Sequence, residues 1–265
     1  MFKEKTELTE LIREGIENII SSGRFQRYLT FLSKLHNYSL YNTMLIYQSN
    51  PDASHIAGFN KWRELGRYVR KGEKAIMIFA PRFRKQKTVE ADNLTGEKKE
   101  TDKQYLTGFI TVPVFDISQT DGEEIPSLVS DFGDATELFD RFLSVFSDKY
   151  DIIQQALKPA LGGYTDGKVI VLNDSKSEEQ KLKTLIHEVA HCQLEHVGNE
   201  DKPKSVKEVE AEMTAFIVSE HFGIDSSSYS FGYLTSWGRG NIKQIMESVD
   251  ISYQTARDII YQIAS

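Results

Sequence analysis

The sequence predicts an α+β protein of two domains, an N-terminal domain of helices and a β-hairpin and a C-terminal, mainly helical domain with a short sheet. The 265 residues are 40% hydrophobic and 27% charged, which is a globular composition. Segments with helical periodicity alternate with short apolar runs typical of strands. The net charge changes from +5 in residues 1–120 to −12 in residues 121–265, which indicates two domains with different partners.

The N-terminal domain is predicted to begin with helices and to continue into the hairpin. Apolar residues from Leu8 to Ile20 recur at helical spacing, and Ser21-Ser22-Gly23 ends that helix. The later helices are predicted at residues 24–36, 39–48 and 60–65. The hairpin is predicted as a strand at 75–80 stopped by Pro81, a polar tip or mobile loop at 82–104, and a return strand at 106–115.

A segment with linker composition, residues 119–126, sets the domain boundary, so the predicted domains are 1–120 and 130–265. In the second domain, helices are predicted at 134–147, 177–195, 205–221 and 242–263. A short apolar strand at 168–172 precedes the second of these helices. It is predicted as an edge strand, where an extended peptide could bind by strand addition.

The clearest chemistry lies in residues 187–191, which read His-Glu-Val-Ala-His. On a helix, residues four apart lie one above the other, so His187 and His191 can hold one metal ion. Glu188 lies where the general base for a metal-activated water must be. We therefore predict a zinc-dependent metallopeptidase, with one Zn²⁺ per chain and with Mn²⁺ or Co²⁺ as alternatives for these ligands.

A catalytic zinc needs a third protein ligand, and the first half of the next helix offers three acids. Glu208 is predicted to be that ligand, and Glu212, on the same face, to orient a ligand imidazole, whereas Glu210 is expected to point elsewhere. His196 is closer in sequence, but no glycine reverses the chain before it, so it is expected to be a helix-end histidine. The alternatives for the oxyanion stabiliser are His221, Tyr229 and Tyr233.

The segment 61–87 is strongly basic, with ten Lys and Arg against two Glu, and aromatic residues are interleaved. Basic groups follow phosphates and aromatic rings stack on unpaired bases, which favours single-stranded DNA as a partner. The alternative is a solvated charged hairpin whose aromatic residues lie in the core. The candidate DNA contacts, including amides and aromatics upstream, are Asn37, Tyr38, Tyr41, Asn42, Lys61, Trp62, Arg63, Arg67, Arg70, Lys71 and Lys74.

Two stretches of the sequence resemble a known family. The N-terminal single-stranded-DNA-binding domain of the ArdC antirestriction family is similar to NYSLYNTMLIYQSNPDASHIAGFNKWRELGRYVRKGEKAIMIFAP and VPVFDISQTDG. The metallopeptidase domain of ArdC and LtrC-like proteins, related to the ImmA/IrrE peptidases, is similar to TLIHEVAHCQLEH, KEVEAEMTAFIVSEHFGID and FGYLTSWG.

The resemblance implies a gluzincin-like C-terminal domain, carriage on a mobile genetic element and protection of incoming DNA against restriction. It supports His187, His191 and Glu208 as metal ligands and Glu188 as the catalytic residue. Glu212 stands where many relatives have Asp.

Other features of the sequence indicate where in the cell the protein is expected. The longest apolar run is far shorter than the roughly 20 residues of a membrane helix, and the charged N-terminus lacks the apolar region of a signal peptide. The lone Cys192 cannot form an internal disulfide. A cytoplasmic protein with no membrane partner and an unidentified peptide substrate is expected. Two alternatives stay open: an antirestriction protein that coats DNA and uses zinc as a brace, and a regulatory protease that cleaves a repressor.

Overall fold

The structure, a computed structural model, describes residues 2–91, 98–125, 134–229, 231 and 242–265, and the statements below concern these residues. The helices are α1 (Phe2–Ser21), α2 (Phe25–Lys34), α3 (Leu40–Ser49), α4 (Phe59–Glu64), α5 (Ala135–Phe146), α6 (Glu178–Gln193), α7 (Lys204–His221) and α8 (Ile242–Ala264). The strands are β1 (Ile56–Ala57), β2 (Arg67–Val69), β3 (Ile76–Ala91), β4 (Lys98–Asp116), β5 (Thr120–Gly122), β6 (Asp151–Gln155), β7 (Gly163–Thr165) and β8 (Val169–Asn173). The predicted α+β class is confirmed.

Three of the described helices, α3, α5 and α6, begin at a residue whose side chain caps the first turn. The hydroxyl of Ser39 accepts a hydrogen bond from a backbone N–H in the first turn of α3, and the Asp134 carboxylate does the same for α5. Ser177 and Gln180 form a reciprocal capping box at the start of α6. The predicted helices from α2 onward are confirmed to within about two residues, although the residues before α2, α4 and α7 give no side-chain cap.

The hairpin is much longer than predicted. Strands β3 and β4 continue through most of residues 82–104, so the prediction of a loop there is wrong. Pro81 does not end the strand but lies opposite Phe109 in the ladder. The sheet order β1-β4-β3 makes β3 an edge strand, where the missing N–H of a proline can face away from the partner strand. The predicted turn around residues 93–96 lies outside the described residues.

Part of the predicted linker is a strand. Strand β5 pairs antiparallel with β2, and the pair forms a small second sheet. The guanidinium of Arg67 fastens this pair by donating from Nε to the Thr120 hydroxyl (2.8 Å) and from Nη2 to the Thr120 carbonyl (3.0 Å). The N-terminal fold therefore extends slightly beyond residue 120.

The C-terminal sheet has the order β6-β8-β7, with β6 parallel and β7 antiparallel to the central strand β8. The prediction of an edge strand at 168–172 is wrong, because a short apolar run is equally typical of a buried central strand. The edges are β6 and β7. Gly163 in β7 allows α6 to pack closely, since a Cβ there would lie 2.7 Å from Cγ2 of Thr184.

The helices of both halves share one hydrophobic core. Helix α2 packs on α7, and α1 packs on α8, so buried residues from Ile16 to Ile263 belong to a continuous cluster. The hairpin extends from this helical body, and α3 supports its base. Among the described helices, none has the length and apolarity that a bilayer crossing would require.

Candidate metal centre

Helix α6 presents the two histidines of the motif on one face. Its opposite face buries Leu182, Leu185 and Ile186 in the core, which fixes the rotation of the helix about its axis. The Nε2 atoms of His187 and His191 consequently lie 3.1 Å apart. The sequence spacing therefore produces the predicted pair of converging imidazoles.

Helix α7 brings a carboxylate to the same point. Oε2 of Glu208 lies 3.8 Å from Nε2 of His187 and 3.7 Å from Nε2 of His191, which is too long for a hydrogen bond. The three donor atoms all lie within 4.8 Å of one another. Two imidazole nitrogens and one carboxylate oxygen form the donor set of a catalytic zinc site, and they also suit manganese. The residues present thus fit a divalent cation.

The pKa values of the three candidate ligands are shifted in different directions by burial and by neighbouring charges. Burial and the neighbouring His187 together lower the pKa of His191 to about 4 against the opposing effect of Glu208, so His191 is a neutral donor near pH 7. Burial also opposes protonation of His187, but the carboxylates of Glu208 and Glu188 outweigh it and raise the pKa. The neighbouring His187 lowers the pKa of Glu208. A bound cation would displace the proton for which these groups compete.

Glu188 is 8% exposed and lies beside the cluster. Burial raises the pKa of its carboxyl, and Glu208 adds to the increase, although His187 opposes it. A general base works best when its pKa approaches the operating pH, so this shift suits the role that the sequence predicts for Glu188.

The predicted supporting residues lie in different places. Glu212 is half-buried and is one of the carboxylates that raise the pKa of His187, and its role in orienting an imidazole stays a prediction. Tyr229 packs edge-on against Phe216, with ring centroids 5.8 Å apart, and burial raises its pKa. Tyr233 lies outside the described residues.

His221 is removed from the oxyanion candidates by its position. It follows Glu208 by about 20 Å along the axis of α7. Its Nδ1 contacts the carbonyl oxygen of Ser33 at 3.0 Å, so it faces α2 and not the metal cluster. Sequence distance alone could not show this, because α2 comes from the other half of the chain.

Sequence reasoning missed a second layer behind His191. His196 and Glu210 are each 2% exposed, and Nε2 of His196 lies 3.0 Å from Oε2 of Glu210. Nδ1 of His196 lies 3.0 Å from Nδ1 of His191. As predicted, Glu210 does not face the metal cluster. The sequence offered a signal for Glu210, because an acid flanked by the apolar residues Val209 and Ala211 needs hydrogen-bond partners if it is buried.

Two of the predicted DNA contacts are wrong. The amide of Asn42 is buried, donates to the Phe79 carbonyl (2.8 Å) and accepts from the Phe79 N–H (2.9 Å), so it extends the backbone pairing of β3. Trp62 is 1% exposed, and its Nε1 donates to the Phe115 carbonyl (3.0 Å). A polar group that bonds to backbone in this way has no free edge for a base.

Other predicted contacts are partly engaged within the protein. The phenol of Tyr38 donates to a backbone carbonyl of β1 (2.7 Å), Arg67 binds Thr120 as described, and Arg70 pairs with Glu73 (2.8 Å). The predicted contacts that lie at exposed positions are Asn37, Tyr41, Lys61, Arg63, Arg70, Lys71 and Lys74, and Lys61 also pairs with Glu64 (3.1 Å).

The hairpin exposes apolar rings beside basic groups. Phe83 on β3 is 55% exposed and lies opposite Leu106, whereas Phe109 on β4 is 65% exposed. Arg82, Arg84 and Lys85, which alternate with or follow Phe83, are also exposed. Exposed rings of this size are typical of binding surfaces. Phe109 and Leu106 were not predicted as surface residues, because their alternation predicts a strand without showing which face is solvated.

The fold and the cluster define a class of protein, one with a metallopeptidase-like C-terminal domain behind a helical and hairpin N-terminal domain. Residues 3–115 match the family model of the N-terminal domain of the anti-restriction factor ArdC, and residues 147–256 match that of the IrrE N-terminal-like peptidase domain. Together these matches cover most of the chain. The chain belongs to the ArdC-like antirestriction family, which combines these two domains.

Individual proteins show the same likeness. The chain is 29% identical over 280 aligned positions to an uncharacterized Bacillus anthracis protein, pXO2-81; this covers 88% of the chain, which spans about half (46%) of that relative's length. The Mn(II)-bound crystal structure of the antirestriction protein ArdC from plasmid R388 has a TM-score of 0.54 at 20% identity, covering 96% of this chain and 98% of that one. The metal-free ArdC structure has a TM-score of 0.48 at 22% identity, covering 86% and 85%.

Proposed function

We propose that this chain is a single-stranded-DNA-binding antirestriction protein of a mobile element whose C-terminal domain is a metal-dependent peptidase. The observation that carries the enzymatic part is the convergence of His187, His191 and Glu208, whose donor atoms lie within 4.8 Å of one another. The Mn(II)-bound crystal structure of ArdC from plasmid R388 supports a divalent cation in this fold. Zinc is our proposed resident metal, since two histidines and one acid suit it.

In the proposed reaction, three residues would bind the cation and a fourth would transfer the proton. His187, His191 and Glu208 would hold the cation, which when bound supplies Lewis acidity to a peptide carbonyl and to a water. Glu188 would accept a proton from the attacking water at its carboxylate. The same carboxyl would then deliver that proton to the departing amide nitrogen as the C–N bond breaks. The burial that raises the pKa of Glu188 favours both transfers.

The hairpin is the proposed DNA surface. Phe83 and Phe109 offer rings to stack on unpaired bases, and stacking contributes about 1–3 kcal/mol per base. Lys85, on the face of β3 that carries Phe83, and the exposed Arg82 and Arg84 on the opposite face would contact phosphates of the bound DNA. Other predicted basic contacts, such as Lys71 and Lys74, are also exposed. A bound DNA strand could therefore extend from the hairpin toward the helical body.

A salt titration with a fluorescein-labelled oligothymidine tests the DNA part. Binding should weaken steeply as salt rises, with a log–log slope of about −0.7 for each phosphate contact. A flat response, or no binding, would refute it.

The substitution Glu188→Gln tests the peptidase part, since it removes the base and keeps the metal ligands. Plasmid transfer into a restricting host is the readout, with wild type and His187→Ala beside it. Loss of protection in E188Q, with metal retained, supports proteolysis as the mechanism. Intact protection would instead favour the alternative in which the protein coats DNA and the metal is a brace.

A further inference from the structure

A buried chain of hydrogen-bonding groups extends from the back of His191. Its Nε2 faces His187 and Glu208, whereas its Nδ1, on the opposite edge of the ring, lies 3.0 Å from Nδ1 of His196. Nε2 of His196 in turn lies 3.0 Å from Oε2 of Glu210. His196 therefore approaches from the side away from the donor cluster and cannot be a ligand of the same ion.

The end of α6 places His196 there. The backbone N–H of His196 donates to the carbonyl of His191 (3.0 Å), and that of Glu195 donates to the carbonyl of Cys192 (3.1 Å), which together form a Schellman motif. Glu195 takes the left-handed conformation that this motif requires, with φ of 52°. The chain thus reverses without a glycine and folds the His196 ring back onto His191.

Glu210 is held as an anion by three donors from three segments. Lys202 in the loop before α7 donates from Nζ (2.7 Å), Ser248 on α8 donates from Oγ (2.8 Å), and His196 supplies the third contact. Oε2 of Glu210 thus meets the Lys202 ammonium and Oε1 meets the Ser248 hydroxyl, so the carboxylate is paired with a positive charge inside the protein. An ionised carboxylate only accepts hydrogen bonds, so its partners must bring the protons.

This requirement assigns the protons along the whole chain. Because Glu210 accepts, Nε2 of His196 carries a hydrogen, and a neutral His196 then offers Nδ1 as an acceptor. Nδ1 of His191 must therefore carry the hydrogen that lies between the two rings. The remaining nitrogen of His191, Nε2, is left with a free lone pair directed at the donor cluster. The tautomer that a metal requires is thus fixed from behind.

We infer that His196 and Glu210 are positioning residues, which select the metal-binding tautomer of His191 and orient its ring. This inference rests on the proposed metal site and deepens it. Carboxylate or imidazole partners of ligand histidines typically change metal affinity by roughly 10–100-fold, so the layer should act on binding before it acts on catalysis.

The test compares His196→Leu with His196→Gln in the full chain. Leucine removes both contacts, whereas glutamine can accept from His191 with its oxygen and donate to Glu210 with its nitrogen. Zinc dissociation constants are measured by competition with a chromophoric chelator. H196L should bind zinc roughly 10–100-fold more weakly than wild type, and H196Q should recover most of the loss. The matched control His221→Leu, at the far end of α7, should bind like wild type.

A second readout needs no variant. Long-range ¹H–¹⁵N NMR of the zinc-loaded wild type should show the hydrogen of His191 on Nδ1 and that of His196 on Nε2. Thermal unfolding in a chelator checks that each variant is folded. Two results would overturn the inference, provided that wild type binds zinc and H187A does not. One is that H196L binds zinc as tightly as wild type, and the other is that His191 carries its hydrogen on Nε2. If wild type itself bound no zinc, the proposed function would fall as well.

Discussion

The phenol oxygen of Tyr253 on α8 lies 2.7 Å from the backbone carbonyl oxygen of Leu35, at the end of α2. The same oxygen lies 3.0 Å from the carbonyl of Tyr38, so one buried hydroxyl satisfies the turn between α2 and α3. Residues more than two hundred positions apart are thereby joined. This bond ties the last helix of the peptidase-like half to the helices of the N-terminal half.

The substitution Tyr253→Phe should lower the free energy of unfolding by about 0.5–1.5 kcal/mol, because it removes a buried hydrogen bond between the two halves, while the Leu35 carbonyl keeps its bond from the Tyr38 N–H (3.0 Å). Urea unfolding followed by circular dichroism measures the change. Tyr261→Phe, on the same helix but 75% exposed, is the matched control and should leave the midpoint unchanged. Equal midpoints for Y253F and wild type would show that this bond does not stabilise the assembly of the two halves.

Replacing Glu195 by glycine should stabilise the protein. A residue other than glycine in the left-handed region costs about 1–2 kcal/mol, and the greater freedom of glycine in the unfolded chain offsets part of the gain. We expect a net increase of roughly 0.5–1 kcal/mol in the free energy of unfolding. Gly223, at φ of 68° after α7, is the converse control, since G223A should destabilise by about 1 kcal/mol. A loss of stability in E195G would contradict the conformation assigned here.

The contact between His36 and His221 should make stability depend on pH. Their rings meet edge to face, with centroids 4.6 Å apart. Burial lowers the pKa of His36 to about 4, and His221 and Arg257 contribute; burial also lowers the pKa of His221. Unfolded histidine titrates near 6.5, so between pH 6.5 and about 4 the unfolded state binds more protons. The free energy of unfolding should therefore fall as the pH decreases through this range, by at most about 1.4 kcal/mol per unit for each histidine.

The substitution His36→Phe tests that dependence, because it keeps the ring contact and removes the titrating group. Nδ1 of His36 is buried and has no hydrogen-bond partner among the residues that the structure describes, so H36F should be at least as stable as wild type at pH 7. Urea midpoints at pH 7 and pH 5 should differ less for H36F than for wild type. The same pH slope in both proteins would refute the assignment.

The hairpin surface predicts a selective loss of DNA binding. Phe109→Ala should weaken binding of a labelled oligothymidine by about 1–3 kcal/mol if the ring stacks on one base. Its exposure means that the fold should be unaffected. Tyr261→Ala, an exposed ring on α8, serves as the control and should bind like wild type. Unchanged anisotropy curves for F109A would remove this hairpin face from the proposed interface.

The sequence predicted what depends on neighbours along the chain. Helix positions followed from apolar periodicity and from breakers such as Ser21-Ser22-Gly23, and the metal cluster followed from the spacing of His187 and His191 with an acid on the next helix. The length of the hairpin was missed, because Pro81 and a polar segment usually end a strand. Only the pairing with β4 shows that this proline lies on an edge.

The second layer behind the metal cluster depends on contacts that are distant in sequence. His196 reaches His191 only because Glu195 adopts a left-handed conformation, which its residue type disfavours. Glu210 becomes a buried anion only because α8 brings Ser248 to it. Asn42 and Trp62 were likewise predicted as base contacts, but in the structure their polar groups bond to the backbone of the hairpin strands.

The most direct test of the central claim is the metal stoichiometry of the purified protein, measured by mass spectrometry after dialysis against limiting zinc. We expect one equivalent per chain for wild type and for E188Q, and almost none for His187→Ala. Equal zinc content in wild type and H187A, or no zinc in either, would contradict the metal site formed by His187, His191 and Glu208.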